Sequence, residues 1–274
     1  MPKAGLHDGS TIEIQVHGAG PTVLLPVDPE PAEGERAEAM RAWGADPALG
    51  RSLMEGLGDR FRVAAFDYEG HVLAHPKPAT LTPDNIAADL LAVADAVGAA
   101  RFAYYGYSWL ALSGLQLALR TDRLDALVMG GFPPVGGPYR EMLAVTRATL
   151  GLAGTATGKE ATPGDWSTVE VDLSDAQARQ FVTLYEALQD FDDLAAQRRI
   201  TCPRLCFAGS ADLIEYDERW GGTRVDIAGP IVRRRAELEA LGWTVAVLDG
   251  LDHAQAMQPA NALPVLGPWL AARV

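Results

Sequence analysis

Seven short apolar runs recur along the chain, separated by stretches with helical spacing, and this alternation restricts the fold more than any other feature of the 274 residues. The runs are "TIEIQV" from Thr11, "TVLLPV" from Thr22, "FRVAAFD" from Phe61, "RFAYYG" from Arg101, "ALVMGG" from Ala126, "PRLCFAG" from Pro203 and "WTVAVLDG" from Trp243. Several are continuously apolar, the pattern of strands covered on both faces. The expected architecture is therefore α/β, a mostly parallel central sheet flanked by helices.

Two helix starts are legible. In "LTPDNIAADLLAVADAVG", Thr82 can cap, Pro83 suits the first turn, Asp84 complements the helix dipole and Gly98 ends the run. "SDAQARQFVTLYEALQDF" opens with Ser174 and Gln177 at capping-box spacing. Between Phe132 and about Leu173 the alternation stops, and "GLAGTATGKEATPGDW" has no period. Residues 133–196 are read as a small, mainly helical cap inserted into a core built from 1–132 and 197–274.

Composition narrows the partners. The 23 basic against 36 acidic residues leave a net charge of -13, which repels nucleic acid and anionic membrane surfaces. The N-terminal "MPKAGLHDGS" has no apolar leader, and no run of about 18 apolar residues appears anywhere, so a cytoplasmic location is expected. Cys202 and Cys206, four apart in an expected strand, share a face but lie too far apart to bond. No phosphate-cradling or dinucleotide motif occurs, so no cofactor is expected. Oligomeric state is left open.

One stretch carries chemistry. "FAYYGYSWLALSG" runs from an apolar strand through Ser108 into a helical pattern, and "GYSWL" matches four positions of the GxSxG nucleophile elbow, with Leu110 where the last glycine is usual. A nucleophilic serine needs a base, an acid to orient that base, and donors for the oxyanion. "CFAGSADLIEY" sets Asp212 three residues after Gly209, and "LDGLDHAQAM" sets His253 three after Gly250. All three fall at carboxyl ends of strands, where open α/β sheets hold their sites.

Together these residues resemble the α/β-hydrolase superfamily, over nearly the whole chain from about Thr11. The resemblance implies an insertion after the family's sixth strand, with Ser108 as nucleophile, His253 as general base and then acid, and Asp212 as the orienting carboxylate. It also implies an oxyanion hole from the amide of Trp109 and a second amide near "PVDPEP". There the family's HG pair is replaced by Pro26 and Val27; proline has no donor, so Val27 or Asp28 must supply it. Tyr107, Trp43, Phe132, Tyr139 and Met142 are expected to line an apolar pocket.

Other groups compete for these roles. His17 in "VHGAGP" imitates the HG motif but precedes its strand, so it is set aside. Glu215 could replace Asp212, Asp252 reads as a solvated charge, and His71 or His75 could reach the cleft rim. The implied function is a serine hydrolase acting on an ester, thioester or small amide of a small, neutral, fairly apolar substrate. A lyase, cyclase or acyltransferase on the same triad is the alternative, with a silent ligand-binding homologue third.

Overall fold

The computed structural model describes residues 1–159, 162 and 168–274. A hairpin of β1 (Lys3–Gly5) and β2 (Thr11–Glu13) precedes β3 (Gln15–His17), β4 (Thr22–Leu25), β5 (Arg62–Ala65), β6 (Phe102–Tyr107), β7 (Leu124–Gly130) and β8 (Arg204–Gly209). A second small pair, β9 (Leu213–Glu215) and β10 (Arg224–Asp226), comes before β11 (Trp243–Leu248). The main sheet runs β11-β8-β7-β6-β4-β5-β3, parallel except for β3, whose Gln15 sits opposite Ala65 of an antiparallel β5. "TIEIQV", expected as one strand, divides at Ile14. That residue is fully buried and turns its amide to the Pro2 carbonyl, so its two halves join different sheets.

The helices are α1 (Gly34–Ala42), α2 (Leu49–Gly58), α3 (Tyr68–Ala74), α4 (Pro83–Ala96), α5 (Trp109–Ala118), α6 (Tyr139–Leu152), α7 (Asp175–Glu186), α8 (Asp193–Ala196), α9 (Ala228–Arg233), α10 (Arg235–Ala240), α11 (His253–Ala256) and α12 (Pro259–Ala271). Two apolar cores form, one on each face of the sheet. Helices α4 and α5 close the larger with Leu90, Val93, Leu112 and Leu115, while α2 and α12 close the other with Leu53, Leu57, Leu266 and Leu270. Residues Leu110 to Ala118 of α5 are all buried, which explains why that helix shows so little polar face.

Both legible caps are present. Thr82 accepts from the Asn85 amide at 3.4 Å, and Ser174 and Gln177 form a reciprocal capping box. Helices α6 and α7 follow β7 and pack on each other. Part of "GLAGTATGKEATPGDW" between them, residues 160, 161 and 163–166, lies outside the described residues. Cys206 is buried in β8, Cys202 lies just before that strand, and both thiols are free. Among the described residues, no helix is long and apolar enough to cross a membrane.

Candidate active site

The turn from β6 into α5 forces Ser108 to φ 56 and ψ -129, making it the one non-glycine residue with positive φ among the described residues. That conformation costs an L-residue of the order of 1–3 kcal/mol and persists only where its surroundings over-determine it. Here the Ser108 amide donates to the Gly130 carbonyl at 2.8 Å, and the Ser108 carbonyl accepts from Ala111 and Leu112. Gly106 supplies the close approach: a Cβ there would lie 2.3 Å from the Leu110 carbonyl oxygen. The Tyr104 hydroxyl donates to that same oxygen at 2.8 Å. A glycine at position 110 is thus unnecessary, and the Leu110 side chain serves as a wall between core and cavity.

Across the cleft, Asp212 and His253 meet at the ends of β8 and β11. His253 Nδ1 lies 2.9 and 3.0 Å from the two oxygens of the Asp212 carboxylate, whose side chain is wholly buried. A buried carboxylate needs a partner, and the imidazole provides it. The Asp212 carbonyl accepts from Ile227 and Ala228, at 3.1 and 2.9 Å, so the turn is pinned on both sides. Behind His253, Tyr107 donates its hydroxyl to the His253 carbonyl at 2.7 Å, and burial together with the Asp212 charge pushes that phenol above its ordinary range. It is a donor at any physiological pH.

The two loops are laced together by backbone. Ala211 donates to the Leu251 carbonyl at 3.0 Å, and Ser210 to Leu248 at 2.8 Å. Gly209 makes the crossing possible, since a Cβ there would fall 1.9 Å from the Leu251 oxygen. Gly209→Ala should therefore cost about 1–3 kcal/mol of stability by overpacking and shift His253 enough to lower turnover roughly 10²-fold. Thermal unfolding and steady-state kinetics on one preparation check both effects.

Ser108 and His253 open onto one cavity of about 450 Å³, within the size range of small-molecule sites. No direct hydrogen bond joins the Ser108 hydroxyl to the imidazole among the described residues; in unliganded sites such bonds are commonly long and close on substrate binding. Ser108 also borders a second, smaller cavity of about 180 Å³ beneath α6 and α7, lined by Trp109, Met142, Thr146, Thr149, Phe181 and Tyr185 among others. Tyr107 lines the first cavity and Met142 the second. Phe132, Tyr139 and Trp43, expected in the pocket, line neither cavity. Phe132 and Tyr139 pack on each other at 5.9 Å and Tyr139 on Phe191 at 5.8 Å, filling the core under α6, while Trp43 ends α1.

The candidate oxyanion donors can be sorted by which amides are already engaged. Val27 donates to the Leu25 carbonyl at 2.9 Å, which removes it from the pair of alternatives. Among the described residues the Asp28 amide has no acceptor, and the Trp109 amide is the first of α5, one of the four a helix leaves unpaired. The Asp28 carboxylate accepts from the Glu30 amide at 2.9 Å. Arg51 of α2 anchors the loop at the Pro29 carbonyl, 3.1 Å away.

The remaining competitors fall away by position. His17, the last residue of β3, lies over Gly58, outside both cavities. Glu215 pairs with Arg224 at 3.0 Å, and Asp252 caps α11 through the Gln255 amide. His71 lies against His75, the rings tilted with centroids 4.8 Å apart, and meets the Ser10 hydroxyl at 2.8 Å; neither histidine lines either cavity.

No family model matches the chain. Over 176 residues it is 26% identical to RutD of Klebsiella pneumoniae, assigned as a carbamate hydrolase; the match covers 58% of this chain and 66% of that protein, just under two thirds of its length. In structure it is similar to a thermophilic esterase from Thermogutta terrifontis, with TM-score 0.62, 18% identity and coverage of 98% and 97% of the two chains. It is also similar to the enol-lactonase from Burkholderia xenovorans LB400, with TM-score 0.57, 17% identity and coverage of 98% and 100%. The chain has the α/β-hydrolase fold.

On this α/β-hydrolase fold the larger cavity carries residues that the sequence pattern did not single out. Arg36 and Met40 of α1 form one wall, and Asp67 and Glu69, from the turn after β5 and the first turn of α3, form another. Asp67 caps α3, accepting from the Gly70 amide at 2.8 Å; desolvation and the Asp28 charge push its carboxyl upward, opposed by that amide and by Arg36. Glu69 accepts from the Trp109 indole at 3.2 Å and is raised by desolvation within the cavity and by Asp67.

A raised carboxyl binds its proton more tightly in the folded chain. Its contribution to stability is therefore complete below the ordinary carboxylate range and is lost as pH rises through the raised value. Asp67→Asn, which keeps an oxygen for the Gly70 amide, should raise the Tm relative to the parent near pH 8, and this gain should vanish near pH 3. Melting curves across that interval test it.

Proposed function

We propose that this protein is a hydrolase that cleaves a carboxylic ester or a related acyl bond, such as a thioester, small amide or carbamate, through an acyl-enzyme on Ser108. The observation that carries the reading is the Asp212–His253 pair opening onto the same cavity as a serine held in a left-handed elbow. His253 Nε2 takes the Ser108 proton as Oγ bonds to the carbonyl carbon; Asp212 holds the Nδ1 proton and stabilises the imidazolium. The amides of Trp109 and Asp28 receive the oxyanion. The imidazolium then protonates the departing alcohol, thiol or amine, and a water activated by His253 releases the acid and restores Ser108.

The relatives support hydrolysis: an esterase and an enol-lactonase share the fold, and the RutD match suggests a carbamate as one substrate to try. Helices α6 and α7 act as the cap, giving a short apolar group its place in the smaller cavity. The test is labelling by a fluorophosphonate probe, with a panel of p-nitrophenyl esters and carbamates, in the parent and Ser108→Ala. Labelling of the parent alone, with turnover, is the expected result. Equal labelling of both, or of neither, defeats the reading, while labelling with no turnover of any member would favour a non-hydrolytic reaction on the same residues.

A further inference from the structure

Ser108 stands at the junction of two cavities that differ in the charge of their lining. The smaller is apolar, closed by the Trp109 and Phe181 rings, which meet edge to face at 5.4 Å. The larger is lined by four carboxylates, Asp28, Glu30, Asp67 and Glu69, facing the single guanidinium of Arg36. Glu30 is engaged outside the cavity by Arg51 at 3.8 Å and by Gln15. Asp28, Asp67 and Glu69 have no ion-pair partner within 4.0 Å among the described residues. Tyr105, 2% exposed, lines the same cavity, and its hydroxyl has no hydrogen-bond partner among the described residues.

We infer that this site, read as the hydrolase above, takes a substrate with a cationic ammonium group on one side of the bond attacked by Ser108 and a small apolar group on the other. Three carboxylates facing one concave space repel each other, and a cation entering it relieves that repulsion while exchanging water for fixed charge. A cleft whose lining is negative on balance also concentrates cations from solution, and the net charge of -13 acts in the same direction. Desolvation first, and after it the charge of Asp28 on Asp67 and of Asp67 on Glu69, raises both carboxyls. The neutral substrate expected from sequence leaves the carboxylates of the larger cavity without a partner.

Trp109 joins the two halves. Its amide is an oxyanion donor, its ring walls the apolar cavity and its indole N–H holds Glu69, so the acidic wall is fixed relative to the reacting carbonyl.

The decisive measurement uses matched isosteres. Acetylthiocholine is compared with S-(3,3-dimethylbutyl) thioacetate, and a p-nitrophenyl ester ending in trimethylammonium with its tert-butyl counterpart, so that charge differs while shape is kept on either side of the bond. In one of the two series the cation should be preferred in kcat/KM by about tenfold or more, and the ratio should fall toward one in Asp67→Asn/Glu69→Gln and in 1 M salt. Calorimetric titration of butyltrimethylammonium into the parent and the double variant reads the cation site without any turnover. A Kd at least several-fold weaker in the variant supports the inference even if Ser108 labels with no probe. Each variant is checked by thermal unfolding, with Glu69→Gln alone as the second variant should the double one not fold. Neutral isosteres preferred in both series, or no binding of butyltrimethylammonium to the parent, would overturn it; fluorophosphonate labelling of Ser108 would then still stand, separating this failure from failure of the hydrolase reading.

Discussion

Ser108→Ala should abolish fluorophosphonate labelling and lower kcat by about 10⁶-fold, leaving only what binding and the oxyanion donors provide. The fold should be almost indifferent to the change. The Ser108 side chain caps nothing, since no hydrogen bond runs from it to the first turn of α5, and alanine keeps the same Cβ in the same backbone well. The strain can be read separately by Ser108→Gly, equally inactive but free of the left-handed penalty. Glycine should make the chain more stable than alanine by on the order of 1 kcal/mol, being the strain of 1–3 kcal/mol less the extra entropy lost when a glycine is ordered. Thermal melts of the two variants beside the parent decide it. If the glycine variant were no more stable, the left-handed turn would not be a store of strain, and if the alanine variant kept turnover, another nucleophile would be at work.

Asp212→Asn should lower kcat by about 10⁴-fold with little change in KM. The asparagine is nearly isosteric, and the backbone bonds that hold this turn, Asp212 carbonyl to Ile227 and Ala228 and Asp212 amide to Gly209, do not depend on the side chain. What changes is the proton on His253. An amide nitrogen facing Nδ1 donates to it and leaves the proton on Nε2, the atom that must receive the Ser108 proton, and the negative charge that stabilises the imidazolium is lost. Labelling by the fluorophosphonate should slow in step with turnover. A variant with unchanged kcat would show that the buried pair orients nothing, and Glu215, tied to Arg224 on the neighbouring hairpin, offers no replacement.

The strands of the main sheet, the turn at Ser108 and the order of the candidate site residues were legible because each is written in a few adjacent residues. A continuous apolar run gives a two-face-buried strand, Thr82 and Ser174 announce their helices, and glycines three residues before Asp212 and His253 mark the turns at strand ends. Leu110 looked like a fault in the elbow because the sequence shows only that position. The contact that replaces the missing glycine, Gly106 beneath the Leu110 carbonyl with Tyr104 bonded to the same oxygen, spans a strand and a helix that must first be packed.

The sequence by itself determined the α/β architecture and the order of Ser108, Asp212 and His253 along it, since periodicity and turn chemistry act over a handful of bonds. Only the tertiary structure decided that Asp28 and not Val27 has a free amide, that Phe132 and Tyr139 belong to the core, and that Asp67, Glu69 and Arg36 share a cavity with the serine. Those outcomes depend on side chains from segments as distant as Leu25 and Met257 converging on one space. Which groups are desolvated together is set by long-range packing, which no local pattern encodes.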